Sequence, residues 1–513
     1  MGKRLVASLM ALALVPVDWL LMAIGAHYGL FVLFFTVVPP TLVARIARLR
    51  AVRAAFRAYS RVPAYRQFID RDSSTQADAW RLDLPATDKE NYVRAFAPEV
   101  RCVNGRIPLR DSSTDESSGS TGTPYNWLRS QKERHSSHVF VSHFARYCFG
   151  EDPWITLNAF SLGSWATGIN MGIALQTNSM VKNIGPDLGK IFSTLEFFGP
   201  RYRFLVCGYP PFLKHMIDEA RDRRFPLEKY RLMALLGGEG NSEGLRDYLL
   251  TRFNPVYSGY GATDIEIGIA GETPICLAIR RAARTNMRLR AALFGESSRL
   301  PMLFHYNPLM HYIETNANGD LLFTITRMNV LTPRVRYNVH DEGGVAAYAD
   351  LQKRALDAGI DLGDLARREG MSPIFLPFLW VYGRKDSTIK VMGANIYPED
   401  IEQCVYDEPD LARVTHSFCL AANESTPEDL RPVFCFEITG DITPDLQRAF
   451  EMRIPPRLRA LNADYREAAK EYEASTIPVI RLYPVGSGPF STDSSRIKQL
   501  RISKRRGANG SSD

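Results

Sequence analysis

Residues Gly383 to Glu402 read GRKDSTIKVMGANIYPEDIE, and this stretch divides the chain. Gly383-Arg384-Lys385-Asp386 is a polar break after an apolar run. Ser387 to Val391 then has a strand-like pattern, Gly-Ala-Asn at 393–395 makes a turn, and Pro398-Glu399-Asp400 opens a helix with proline and acids in its first turn. About 130 residues follow Gly383, enough for one small α+β domain.

Upstream, from about 150 to 340, short β-rich runs alternate with helical ones, as in Arg203-Phe-Leu-Val-Cys before Pro210-Pro211-Phe-Leu-Lys-His. That alternation predicts parallel or mixed α/β layers. Arg45 to Arg66 is helical in pattern, with Leu49, Val52, Phe56 and Tyr59 at spacings of three and four until Pro63 breaks it. Residues 70–90 form a polar connector ending in the helix start Thr87-Asp88-Lys89-Glu90. The expected fold is therefore mixed α/β, with a large domain over 45–383 and a small α+β domain over 384–506. An apolar segment, 1–44, precedes them, and a tail, 507–513, is expected to be disordered.

The 513 residues carry 45% hydrophobic and 23% charged side chains, which describes a globular protein of two or three domains. A net charge of +7 is modest, and much of it lies near the ends, at Arg45, Arg48, Arg50, Arg53 and Arg57 and again from Arg496 to Arg506. Terminal charge of this kind suits a membrane surface or a phosphate. No zinc-finger spacing and no aromatic-basic RNA motif occurs, so nucleic acid is not an expected partner. Seven cysteines, at 102, 148, 207, 276, 404, 419 and 435, are scattered without a CxxC and read as buried thiols of a reducing compartment.

Leu5 to Ile24 is apolar apart from Ser8, Pro16 and Asp18, and a second run from Tyr28 to Val43 is apolar except for Thr36 and Thr41. The first is about long enough to span a bilayer and the second is marginal. Lys3 and Arg4 precede the pair and arginines follow it, the pattern of a hairpin anchor with both ends on the cytoplasmic face. A cleaved signal peptide and a buried helical pair are the competing readings.

Four further segments carry chemistry. Ser117-Ser118-Gly119-Ser120-Thr121-Gly122-Thr123-Pro124 offers backbone N–H groups and hydroxyls to an anion, or is a plain linker. Gly237-Gly238-Glu239-Gly240 follows the apolar Leu232 to Leu236 and gives a flat backbone on which a purine can lie. Tyr257-Ser-Gly-Tyr260-Gly261-Ala262-Thr263-Asp264 combines an aromatic, a hydroxyl and a carboxylate able to hold Mg²⁺. Pro333-Arg334-Val335-Arg336-Tyr337-Asn338-Val339-His340-Asp341 delivers Asp341, whose two oxygens can accept both hydroxyls of a ribose.

With the Gly383–Glu402 stretch these make five motifs, and the ordered set resembles the adenylate-forming superfamily of acyl-CoA synthetases, nonribosomal adenylation domains and luciferases. It looks closest to the phenylacetate–CoA ligase and coenzyme F390 synthetase branch, often called CapK-like. Arg61-Val-Pro63-Ala-Tyr65-Arg66 and Leu84-Pro85-Ala-Thr87-Asp88-Lys89-Glu90 resemble that branch's opening. The resemblance spans roughly 55–500 and implies a large domain holding ATP and a small mobile lid. It implies that Ser118, Gly119, Ser120, Thr121, Gly122 and Thr123 hold the β- and γ-phosphates. Gly238 and Glu239 would border the adenine, with Tyr260 stacking on it beside Gly261. Thr263 would reach the α-phosphate, Asp341 would bind the ribose, and Arg384 would face the nucleotide. Asp386 would sit at the hinge.

Three departures from the family pattern stand out. Pro124-Tyr125-Asn126 follows the Gly-rich loop where many relatives carry a lysine. Asp264 takes the place of a Mg²⁺-binding glutamate, and Glu266 is close enough in sequence to substitute. In GPFSTDSSRIKQ, from Gly488 to Gln499, Arg496 falls in the register of the superfamily's catalytic lysine, with Lys498 two residues on. An arginine keeps the charge and changes the reach.

The resemblance implies activation of a carboxylic acid to acyl-AMP with ATP and Mg²⁺, then transfer, with CoA as the leading acceptor. An amine or hydroxyl acceptor, or a degenerate nucleotide-binding assembly partner, are the alternatives. The arginines at 280, 281, 284, 288 and 290 read as a solvated helix face. His135, His138 and His143 share a helical face but lack companions for a metal. Phe160-Ser-Leu-Gly163-Ser-Trp165-Ala-Thr-Gly168 is similar to a segment lining the acyl pocket in relatives.

Overall fold

The computed structural model describes residues 15–71, 82–117, 125–295, 297, 299–370, 374–384, 388–392, 394–422, 431–491 and 501–503. Residues 1–14, the Gly-rich positions 118–124, the hinge position Asp386, the cations Arg496 and Lys498, and the tail 507–513 lie outside them.

An eleven-stranded sheet forms the spine of the large domain. One end is parallel, in the order Ser179–Asn183, Trp154–Asn158, Arg203–Gly208, Arg231–Leu236 and Phe253–Ala262. Phe204 to Gly208 and Leu232 to Leu236 are buried without a break, because helices cover both faces there. The strand Phe253–Ala262 runs parallel to Arg231–Leu236 and antiparallel to Glu266–Gly271, so it joins two differently built halves. The antiparallel half continues through Met302–Tyr306, Phe378–Arg384, Tyr337–Ala346, Asp320–Ile325 and His311–Thr315.

The small domain follows Arg384. Its four-stranded sheet has the order Val479–Pro484, Pro432–Ile438, Thr415–Ala422 and Ile502–Ser503. The helices Pro398–Tyr406 and Pro444–Leu461 cover a core of Ile396, Ile401, Phe434, Phe436, Phe450 and Leu458.

Five helices flank the site or form the amino terminus: α1, described over Val15–Ala26, α2 (Tyr28–Val37), α3 (Pro40–Arg61), α4 (Pro63–Arg71) and α5 (Gln131–Phe149). The start of α5 is encoded locally. The Ser130 hydroxyl accepts from the Glu133 amide while Glu133 Oε2 accepts from the Ser130 amide, a reciprocal capping box. Gly150, at φ +88°, ends the helix.

The apolar amino terminus is described from Val15 onward, so residues 5–14 of the expected first span lie outside the described residues. Among the described residues no single helix is long and apolar enough to cross a membrane; α1 and α2 meet at 116°. Phe31 and Phe35 of α2 are buried against Phe140, Leu309, Met310, Ile374 and Leu376 of the large domain. Asp18 of α1 pairs with Arg50 and Arg53 of α3, both buried.

All seven cysteines are free and buried. Arg280 corrects the reading of its helix as a solvated face: it is 1% exposed, and its guanidinium bonds Glu243 at 2.5 Å and Glu272 at 3.2 Å.

Candidate active site

Between the two domains lies a cavity of ≈1910 Å³. The strand Arg231–Leu236 ends on it in Gly237-Gly238-Glu239. Gly238 sits at φ +83°, and a Cβ there would stand 2.5 Å from the Tyr209 ring, so backbone conformation and space both require glycine. The neighbouring strand Phe253–Ala262 brings Tyr260 and Gly261 to the same wall. A Cβ at Gly261 would meet the Glu266 carbonyl and the Gly268 amide at 3.0 Å.

Across the cavity, the strand Tyr337–Ala346 carries Asp341, which pairs in register with Arg384 at the end of the strand Phe378–Arg384. The Tyr260 hydroxyl donates to Asp341 Oδ2 at 2.6 Å, and the Tyr260 ring packs on Phe304 and Phe323. Burial and the Asp341 carboxylate push the Tyr260 phenol well above its ordinary range, so it remains a hydrogen-bond donor.

Thr263 and Asp264 occupy the turn after that strand, held by two arginines. Arg129 Nη2 donates to the Thr263 carbonyl at 2.7 Å, and Arg334 Nε donates to the Asp264 carbonyl at 2.9 Å. The Tyr337 hydroxyl donates to Asp264 Oδ2 at 2.9 Å. Arg334 is buried beneath Trp127 and Tyr337, and burial lowers its pKa to about 10, so it remains charged at neutrality. The sequence alone does not single out Arg129, Arg334 or Trp127 as parts of the site. Arg334 stands inside the PRVRYNVHD stretch, and that is the one local signal any of them carries.

The Gly-rich segment 118–124 lies outside the described residues, but its base is placed. Ser112–Glu116 and Asn126–Ser130 form an antiparallel hairpin, with Glu116 opposite Asn126. The Ser117 amide donates to the Tyr125 carbonyl at 3.0 Å, and Ser117 Oγ accepts from the Tyr125 amide at 3.1 Å. Glu116 and Ser117 line the cavity. The segment Leu84–Glu90 meets the PRVRYNVHD strand directly, through Thr87 bonded to Arg336 and Asn338, and it brings Lys89 and Glu90 to the rim.

One end of the cavity is apolar. Phe140, Val141, Phe144 and Ala145 of α5 face Phe160, Met171 and Tyr209 there.

Glu266 is not at the cavity, which corrects its expected role as a metal ligand. Asp264 lies in the turn before the strand Glu266–Gly271, whereas Glu266 opens that strand and packs toward α5, where Ser137 Oγ and Arg327 Nη2 each bond Oε2 at 2.5 Å and His311 bonds Oε1. Burial alone would raise its pKa, but Arg327 and His311 hold the carboxyl well below the usual range. Such a carboxylate is already neutralised and has little left to offer a cation. Among the described residues no three His, Cys, Asp or Glu side chains stand together as a metal set. A Mg²⁺ held mainly by phosphate oxygens needs only one or two protein carboxylates, and Asp264 at the cavity wall fits that lesser demand. His138 bonds Asn170, and His143 bonds the Gly25 carbonyl; both stay uncharged through burial.

The small domain closes the cavity with the helix Pro398–Tyr406. The Ser242 amide donates to Glu402 Oε2 at 2.7 Å and the Gly244 amide to Gln403 Oε1 at 3.0 Å. Arg299 lies 4.2 Å from the ring centres of both Tyr382, on the large sheet, and Tyr397, on the small domain, and it pairs with Glu342 at 2.6 Å. Glu399 faces the cavity in this seam. Its side chain keeps an exposed face, but the protein mass on both sides of the cleft weakens its hydration and pushes its carboxyl up to about 7, with Asp400 and Glu402 adding to the rise and Arg299 opposing it.

The arrangement of the two domains has solved counterparts. The chain superposes on 2-hydroxyisobutyryl-CoA ligase in the postadenylation state, in complex with its acyl-AMP, with a TM-score of 0.67 at 12% identity, covering 92% of each chain. The fold is that of the adenylate-forming ligases. The same ligase in its thioesterification state, with the acyl-AMP and CoA, superposes with a TM-score of 0.53 at 12% identity, covering 91% of this chain and 92% of that one. No family model matches the sequence, and no curated protein sequence matches it significantly. The likeness to adenylate-forming ligases is therefore carried by the arrangement of strands, helices and domains.

Proposed function

We propose that the protein activates a carboxylic acid with ATP, forming acyl-AMP and pyrophosphate, and then passes the acyl group to CoA. The observation carrying this reading is the cavity itself. It joins the Tyr260–Asp341 pair, the base of the Gly-rich hairpin and an apolar recess between two domains. That combination matches a ribose, a polyphosphate and an acyl group held end to end.

In this reading Asp341 accepts the ribose hydroxyls, since an ionised carboxylate is an acceptor with about four lone-pair sites on two oxygens. Gly238 and Glu239 border the purine, with Tyr260 and Gly261 opposite. The hydroxyls and amides of Ser118 to Thr123 receive the β- and γ-phosphates, and Thr263 reaches the α-phosphate. ATP enters as its Mg²⁺ complex, with Asp264 as the protein carboxylate. The acid's carboxylate oxygen attacks the α-phosphorus and the bond to pyrophosphate breaks. Both reactants are anions, so the protein's share is alignment and positive charge. Arg384, with Arg496 or Lys498, is the proposed source of that charge. A thiolate then attacks the acyl carbon and AMP leaves. Acyl-AMP reacts with water, which gives closure by the small domain its purpose.

Pyrophosphate release measured with a panel of aryl and aliphatic acids tests the first step, and AMP release with CoA, amines or alcohols tests the second. Thioester formation with any acid supports the reading. Products only with amines or alcohols would replace CoA as acceptor. ATP binding without turnover on any acid would favour a nucleotide-binding assembly partner. Comparing R496A with K498A identifies the carboxy-terminal cation.

A further inference from the structure

The outer surface of α1–α3 has no part in this chemistry. Val15, Trp19, Leu20 and Met22 of α1, Leu30, Leu33 and Val37 of α2, and Leu42 and Leu49 of α3 are all exposed. Trp19 is 69% exposed and Val37 67%. An apolar face of this extent on neighbouring helices marks an interaction surface.

Its charge pattern selects the partner. Asp18 is the only acidic residue between Val15 and Arg61, and it is spent on Arg50 and Arg53 beneath the surface. Arg45, Arg48 and Arg61 are exposed along α3. An apolar strip bordered by cations, whose own three helices expose no carboxylate and whose neighbour Glu151 is paired with Arg146 beside Tyr28, and which carries an outward tryptophan, fits phospholipid headgroups over acyl chains.

The same contacts set the depth. The ten residues of α2 measure about 15 Å against a hydrocarbon core of about 30 Å. Standing α2 upright in the bilayer would pull Phe31 and Phe35 from their packing on Phe140, Leu309 and Leu376. Carrying α1 into hydrocarbon would part Asp18 from two buried arginines, leaving uncompensated charge.

We propose that α1 and α2 lie in the plane of one leaflet of an anionic bilayer, seating the protein on the membrane surface without crossing it. The hairpin is stitched to α5 by the bond from His143 to the Gly25 carbonyl at 2.9 Å and by the Phe31–Phe140 ring contact. Since Phe140, Val141 and Phe144 also line the apolar recess, one helix separates the lipid-facing hairpin from the cavity.

Flotation of the full chain with phosphatidylcholine vesicles, with and without phosphatidylglycerol, tests this independently of any catalytic assay. Binding is expected to rise with the anionic lipid and fall with added salt. W19Q/L20Q/L33Q alters only exposed positions and is expected to weaken partitioning by about tenfold or more, with an unchanged circular dichroism spectrum. Lipids brominated near the headgroup are expected to quench a fluorescence component that is missing in W19F. Quenching of that component by lipids brominated at the chain ends would overturn the in-plane arrangement. No flotation, or self-association of the full chain that the triple variant abolishes, would overturn the lipid assignment.

Discussion

The Tyr260 hydroxyl and the Asp341 carboxylate meet at 2.6 Å, joining the last strand of the parallel half to a strand four places away in the antiparallel half. This bond fixes one Asp341 oxygen and aims the carboxylate along the cavity wall. The Tyr260 ring cannot turn away, because Phe304 and Phe323 pack on it.

Asp341→Ala is expected to weaken ATP binding by about two orders of magnitude, the scale of two hydrogen bonds to a charged group. Tyr260→Phe keeps the ring and loses only the aiming bond, so a loss of about tenfold is expected. Isothermal titration with ATP and with 2′-deoxy-ATP separates the two, since D341A should no longer distinguish them. Discrimination retained in D341A would place the ribose elsewhere.

Glu399 is expected to make domain closure pH-dependent. Its pKa is raised to about 7 in the seam, so the closed form binds the proton more tightly than an open form with an ordinary carboxyl near 4.5. The closed form is therefore favoured at low pH and loses that preference as pH rises from about 4.5 to about 7. A fluorescence pair across the domains should report opening over that window, and Glu399→Gln should flatten the curve. An identical curve in E399Q would assign the titration to another group.

Glu272 is expected to be a stability determinant. Its Oε1 and Oε2 accept from Arg246 at 2.7 and 2.9 Å, Arg280 approaches at 3.2 Å, and Oε2 accepts the Ser258 amide at 2.8 Å. Glu272→Leu would leave two buried guanidiniums sharing the single carboxylate of Glu243 beside the Val256 and Pro301 carbonyls, a loss of about 3–5 kcal/mol. Denaturant unfolding measures it, and a loss under about 1 kcal/mol would show that water relieves the charge.

At Gly238 the backbone lies at φ +83° with the Tyr209 ring 2.5 Å from where a Cβ would be. Gly238→Val should raise the KM for ATP about tenfold or more, because backbone strain and displacement of Tyr209 both deform the proposed purine wall. Thermal unfolding should move far less. A normal KM would remove the GGEG turn from the nucleotide site.

The order of motifs along the chain was legible because each joins a strand end to a turn, and turns demand glycine, proline and short polar residues that stand out in sequence. Gly238, Tyr260, Asp341 and Arg384 all come to one cavity. The supports behind them were not legible. Arg129 and Arg334 act through backbone carbonyls of residues 134 and 70 positions away, and nothing near either arginine announces that distance. Glu266 misled through proximity: it stands two residues from Asp264, but Asp264 belongs to the turn while Glu266 opens the next strand and is taken up by Ser137, His311 and Arg327. Arg280 misled because a buried charge looks like an exposed one until Glu243 and Glu272 are seen beside it. The packing of α2 on the large domain was equally hidden, since hydropathy counts apolar residues and does not say which of them the body already claims.

The strand Phe253–Ala262 is where parallel pairing gives way to antiparallel. On its parallel side the chain must return over the sheet through helices, and the strand Arg231–Leu236 beside it ends on the cavity at Gly237 and Gly238. On its antiparallel side the chain can turn back at once, as it does through Thr263 and Asp264 within four residues. A single strand thus has a deep cleft at its tip and a tight polar turn immediately beyond it. The change from parallel to antiparallel pairing therefore sets the Gly237–Gly238 wall and the Thr263–Asp264 turn side by side on one cavity, without either half of the sheet having to change its construction.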